Sequence, residues 1–157
     1  MLHTPEKRKK LLKTAFFCYI LLMLWLLFGQ RIGEEISGSY FENLCSSISL
    51  SPFQTIRYFA KSMVYSVDGA SLRRAVVNLG GNVIMFIPLG FFIPCVFAKQ
   101  RTFWRSIACS AVCIAAVELL QLFTLLGSCD IDDFILNIIG ALIGRGIFAV
   151  FEKQLTE

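Results

Sequence analysis

Glutamate, glutamine, asparagine and aspartate are costly in hydrocarbon, yet all four interrupt the apolar stretch from Glu118 to Gly144, E-L-L-Q-L-F-T-L-L-G-S-C-D-I-D-D-F-I-L-N-I-I-G-A-L-I-G. Glu118 and Gln121 stand in one apolar segment, Asn137 stands in the next, and an acidic turn with Asp130, Asp132 and Asp133 joins them. A carboxylate in such a segment either meets a substrate, proton or cation, or is satisfied by other polar groups inside a bundle. Glu118 is therefore the candidate catalytic residue, as a general acid or base. Asp130 and Asp133 are the candidate ligands for Mg²⁺, which takes oxygen donors and often bridges to substrate phosphates. Helical spacing turns Asp132 away from their face, which weighs against such a centre. No cofactor is expected.

Other chemistries find little material. The one histidine, His3, lies in the basic N-terminal tail, so neither a Ser-His or Cys-His pair nor a His-ligated zinc is available within the membrane. The six cysteines show no C-x-x-C spacing. Cys18, Cys95, Cys109 and Cys113 fall in apolar runs, where a thiol behaves as a small hydrophobe. Only Cys45 and Cys129 could face an oxidising compartment, and their pairing stays open.

The chain has 157 residues, 56% of them hydrophobic, and a mean hydropathy of +0.67. A soluble domain is usually about 45–50% apolar. The excess is concentrated in four runs, which predicts an all-α integral membrane protein forming a single domain over 1–157. The first run, 14–28, follows Lys7, Arg8, Lys9, Lys10 and Lys13 and lacks a small-x-small cleavage site, so it reads as an uncleaved anchor. The others lie near 75–98, 106–126 and 134–151.

Between the first two runs, residues 30–74 form a polar loop with Gly33, Glu34, Glu35, Gly38 and Glu42, then a helix starting at Ser51-Pro52. There Phe53, Ile56, Ala60, Met63, Val64 and Val67 recur at helical spacing, opposite Gln54, Arg57, Lys61 and Ser62. That pattern suits an amphipathic helix in the interface plane, or one packed on top of the bundle. In the second run Asn78 and Asn82 share a face, and Pro88 is expected to kink or break the helix, with Gly90 and Pro94 weakening it further.

Orientation follows from flanking Lys and Arg. Nine lie in the N-terminal tail, the Lys99–Arg105 loop and the C-terminal tail; five (Arg31, Arg57, Lys61, Arg73, Arg74) lie on the other side. Both termini are therefore expected to be cytoplasmic, with Glu34, Glu35, Asp68 and the acidic turn outside, and Arg145 snorkelling inward. At about 1.5 Å per residue, Glu118 lies ~12 Å, Asn82 ~10 Å, Gln121 ~8 Å and Asn137 ~5 Å below the outer surface. These groups share one layer. Asp133, Asn137, Gly140 and Gly144 form one stripe, in which Gly140-x-x-x-Gly144 lets a neighbouring helix approach closely. Blander roles stay open: the aspartates as helix caps, and Asn78, Asn82, Gln121 and Asn137 as interhelical glue.

At these residues the chain resembles the VanZ-like family. The matching pieces are S-P-F-Q-T-I at 51–56, V-N-L-G-G-N-V-I-M-F-I-P-L-G at 77–90, V-E-L-L-Q at 117–121, and D-I-D-D-F-I-L-N-I-I-G-A-L-I-G at 130–144. Many relatives carry an Arg in the turn before the last helix, where this chain has Gly127-Ser128-Cys129. The resemblance implies a small multi-pass protein of the bacterial cytoplasmic membrane, linked to resistance against the glycopeptide teicoplanin. On that basis Asn78, Asn82, Glu118, Gln121, Asp130, Asp132, Asp133 and Asn137 are expected to engage a polyprenyl-linked cell-wall precursor or the lipidated antibiotic at the outer leaflet. The alternative is an enzyme acting on lipid phosphate or pyrophosphate with acidic residues and Mg²⁺. Membrane lipids are expected partners, and nucleic acid is not. A transporter is the weakest option, because no inverted repeat is visible.

Overall fold

The structure, a computed structural model, describes residues 5–29, 32, 38–65 and 69–156. His3, Arg31, Gly33, Glu34, Glu35, Val67 and Asp68 lie outside the described residues. The elements are α1 (Pro5–Leu24, continued by a π-helical turn, Trp25–Gly29), α2 (Tyr40–Ser46), β1 (Ile48–Ser49), α3 (Gln54–Tyr65), α4 (Gly69–Val96), a 3₁₀ turn (Ala98–Gln100), α5 (Phe103–Thr124), β2 (Cys129–Asp130) and α6 (Ile131–Thr156). Among the described residues four helices are long and apolar enough to cross a membrane: Glu6–Gly29, Val76–Val96, Phe103–Thr124 and Ile131–Leu155. The chain is a multi-pass helical membrane protein. Its helices outrun the apolar segments by several residues, because backbone hydrogen bonding continues into the polar flanks.

The bundle is organised on the pair α4–α6. Glycine makes it close. A Cβ at Gly90 would strike the Ala141 carbonyl, one at Gly140 the Val83 carbonyl, and one at Gly144 the Ile87 carbonyl. In lipid, where apolar burial drives helices together weakly, such close approach is the main source of association. Phe86, Leu89 and Ile93 of α4 fill the core with Ile114 and Val117 of α5, Ala141 of α6 and Met23 of α1. α1 is the loosest span: the Tyr19 hydroxyl donates to the Met85 carbonyl at 2.9 Å, and Phe16 meets Phe92 at 5.7 Å.

The expected break at Pro88 is absent, since α4 runs unbroken through Pro88 and Pro94. Proline removes one hydrogen bond and crowds one turn, but buried Phe86, Leu89 and Ile93 bracket Pro88 and fix the helix against its neighbours. Arg145 also differs from expectation. Its guanidinium reaches toward the α4–α5 loop, yet it is only 7% exposed. It donates to the Arg101 carbonyl at 2.8 Å and lies 5.1 Å over the Phe148 ring, clamping the α4–α5 loop instead of meeting water.

The 38–51 loop is more ordered than its polarity suggests. The Tyr40 hydroxyl of α2 donates to the Phe123 carbonyl at 2.9 Å. β1 pairs in parallel with β2, Ile48 opposite Cys129 and Ser49 opposite Asp130. Next, α3 starts at Gln54 rather than Ser51, and its inward residues are Thr55, Ile56 and Phe59. Phe53, Ala60 and Val64 of the apolar stripe are exposed, so the stripe as a whole does not pack on the bundle.

Candidate functional site

A cavity of about 310 Å³ opens between α4, α5 and α6, toward the end of the bundle away from the chain termini. Asn78 and Asn82 line it from α4, Glu118 and Gln121 from α5, Asp133 and Asn137 from α6, and Ser128 from the intervening turn. Two bonds cross helices: Asn137 Nδ2 donates to Glu118 Oε1 at 3.1 Å, and Asn82 Nδ2 donates to Asp133 Oδ1 at 2.5 Å. Three buried acceptor atoms at the cavity have no hydrogen-bond partner among the described residues, Asn78 Oδ1, Glu118 Oε2 and Asn137 Oδ1, although the Asp130 backbone amide also acts on the Glu118 carboxylate. Among the described residues that line it, none is Lys or Arg. Gly81 contributes room, since a Cβ there would meet nothing within 4 Å.

Glu118 also borders a second, mostly apolar pocket, of about 210 Å³, shared with Leu50, Ala115, Leu119, Cys129, Asp130, Ile131 and Phe134. The carboxylate thus stands between a polar chamber and an apolar one.

Asp130 and Asp132 do not line the polar cavity. Asp132 is fully buried and accepts from Phe53 N at 2.5 Å and from Ile56 N at 3.0 Å. It satisfies amide groups that the first turn of α3 leaves orphaned. Asp130 Oδ2 accepts from Thr55 Oγ1 at 2.6 Å, and its Oδ1 accepts from Asp132 N at 2.9 Å. Both carboxylates staple α3 to the start of α6. Asp133 instead turns toward Asn82, so Asp130 and Asp133 do not share a centre. No group of three His, Cys, Asp or Glu residues that could hold a metal ion occurs among the described residues.

Ser128, Gly81, Met85, Leu26 and Leu27 also line the cavity, and the polar spacing that marks Glu118 and Asn137 says nothing of them. The Gly80-Gly81 pair beside Asn82 is the one available signal, because small residues make room for a cavity.

Cys129 and Cys45 are both free thiols. Burial, then the neighbouring charges of Glu118 and Asp130, push the Cys129 thiol above its ordinary value. Only the thiolate reacts. With Cys129 as the sole cysteine, maleimide labelling at neutral pH should run slower than with Cys45 alone. Its rate should keep climbing with pH above the ordinary thiol range. A Cys129 rate equal to that of Cys45 and level above the ordinary thiol range would contradict the burial of Cys129.

A family model described as VanZ/LLP1 matches residues 16–152. Protein VanZ of Enterococcus faecium is 25% identical over 140 residues, covering 88% of this chain and 74% of its own length. No solved structure matches the chain. A match running from α1 into the last turns of α6 takes in every residue of the cavity, and on it the chain belongs to the VanZ/LLP1 family.

Proposed function

We propose that this chain is a binding module of the bacterial cytoplasmic membrane that contributes to resistance against teicoplanin-type glycopeptides. It engages an amphiphile, either the lipidated antibiotic or a lipid-linked cell-wall precursor, with the head group in the polar cavity. Both termini lie in the cytoplasm in this reading, so the cavity faces the outer leaflet. The observation that carries it is the chamber of amide and carboxylate groups set between three membrane helices, with an apolar pocket against the same glutamate. Binding sites for amphiphiles need this pairing of convergent polar groups with apolar walls. An Mg²⁺-dependent lipid phosphatase is less well supported, since the Asp132 carboxylate is taken by the Phe53 and Ile56 amides and that of Asp130 by Thr55 and the Asp132 amide.

Glu118→Gln tests the proposal. Glutamine keeps the size and an acceptor for Asn137 Nδ2, so folded yield should match wild type. A charge-assisted hydrogen bond to the ligand, worth roughly 1.5–3 kcal/mol, is lost. Susceptibility to teicoplanin, measured at matched protein level, should move to that of cells lacking the protein. Full protection by the Gln variant would reduce Glu118 to interhelical glue.

A further inference from the structure

The fully buried cavity atoms without a partner among the described residues are of one kind. Asn78 Oδ1, Glu118 Oε2 and Asn137 Oδ1 are acceptors, and each is buried. The residues behind two of them are deeply placed: Glu118 is 5% exposed and Asn137 2%. A buried acceptor without a donor is unfavourable, and a carboxylate oxygen in a membrane interior is the most unfavourable of the three. A ligand that relieves them must bring donors. A phosphate, carboxylate or pyrophosphate brings further acceptors and negative charge to a wall that already holds Glu118 and Asp133.

We infer that the cavity is a receptor for the primary ammonium group of a membrane amphiphile, the head group that the proposed binding function takes up. This inference rests on that function. An ammonium carries three donors and no acceptor, so it can serve the carboxylate oxygen and both amide oxygens together while supplying the opposite charge. A bare metal ion fits less well. It needs converging ligands at short range, whereas no metal-holding group of three His, Cys, Asp or Glu residues occurs among the described residues. A chamber of about 310 Å³ also holds roughly ten waters' worth of liquid, which suits an amine with its attached carbons.

The test uses the full-length protein in nanodiscs of phosphatidylglycerol and a fluorescent dodecylamine. Two analogues accompany it: the N,N,N-trimethyl compound, which keeps the charge without N–H donors, and the N-acetyl compound, which keeps one donor without charge. The primary amine should bind at least about tenfold more tightly than either analogue, the effect of a single charge-assisted contact. Asn78→Leu should weaken the amine by a similar factor, with folding checked by melting temperature, since it removes the Oδ1 that has no partner among the described residues. Equal binding of all three compounds would overturn the inference, leaving water to satisfy the acceptors. Displacement of the amine by millimolar Mg²⁺ or Ca²⁺ would also overturn it, in favour of a metal site.

Adding phosphatidylethanolamine to the nanodiscs then identifies the source. Competition points to a bilayer aminophospholipid, and its absence points to an incoming amphiphile that bears an amine. The two ideas fail separately. If teicoplanin binds the nanodisc protein in a Glu118-dependent way but dodecylamine shows no preference, the ammonium assignment falls and the binding function stands. If dodecylamine binds selectively while teicoplanin and lipid-linked precursor do not, the binding function falls and the ammonium site stands.

Discussion

Gly144→Leu should leave almost no folded protein in detergent, and Gly140→Ala and Gly90→Ala should each lower the melting temperature sharply. The atoms that a new Cβ would strike are backbone, namely the carbonyls of Ile87, Val83 and Ala141. Side chains can rotate away from a clash, but a carbonyl held in a helix cannot. The whole of α4 must therefore move off α6. That movement loses packing along the seam, where each atom pair contributes only ~0.1–0.2 kcal/mol but many act together. It also loses the weak Cα–H···O contacts that such close helices make, about 0.5–1 kcal/mol each. Even the single methyl of alanine is expected to cost about 3 kcal/mol, at the upper end of ordinary substitutions.

Gly146 is the built-in control. A Cβ there would meet nothing within 4 Å. Gly146→Ala should be neutral or stabilising by up to about 1 kcal/mol through helix propensity alone. Size-exclusion profile and melting temperature read both cases. Wild-type behaviour of Gly144→Leu would mean that α4 and α6 stand further apart than described. The same seam holds Asn82 of α4 against Asp133 of α6, so any folded fraction of the glycine variants should also lose the cavity.

The spans are readable from the sequence because hydropathy sums over some twenty residues, and no single residue has to be interpreted correctly. The polar layer is readable for a related reason. Helical rise alone puts Glu118 and Asn137 at neighbouring depths, and a single interhelical bond joins them. What escapes is whatever depends on residues far apart in the chain. The partners of Asp132 are backbone amides nearly eighty positions upstream, at Phe53 and Ile56, and a backbone amide leaves no mark in a sequence. The pairing of β1 with β2 involves two residues on each strand, too few for any alternation to show. Gly90 reads as a weak point of its helix when taken alone. It becomes a contact point only once α6 lies against it. Arg145 reads as a snorkelling side chain because the covering ring of Phe148 and the Arg101 carbonyl come from the fold.

Asp132→Ala should release α3 from the bundle while leaving the membrane helices assembled. Both carboxylate oxygens of Asp132 are committed to amides at the start of α3. One of those amides belongs to Phe53, whose φ of 63° is left-handed, a conformation that strains a bulky residue by about 1–3 kcal/mol. The bond from Phe53 N holds that strain in place. Removing the carboxylate deletes two charge-assisted bonds in a buried site, about 3 kcal/mol or more together, and lets Phe53 relax to negative φ. Thr55 and Asp130 cannot hold the helix alone, because their single bond lies one residue further along the same turn. Hydrogen exchange should therefore quicken at the amides of Phe53 and Ile56 and then throughout 54–65, with little change in α4 to α6. Phe53→Gly in the Asp132→Ala background should recover part of the protection, since glycine takes φ near +60° without strain. Unaltered exchange at Phe53 and Ile56 in Asp132→Ala would show that the strand pairing and α4 hold α3 without the carboxylate. No α3 residue is among the described residues lining the polar cavity, so Asp132→Ala and Glu118→Gln should separate cleanly. The first loosens the cap of the bundle and spares the chamber; the second alters the chamber and spares the cap.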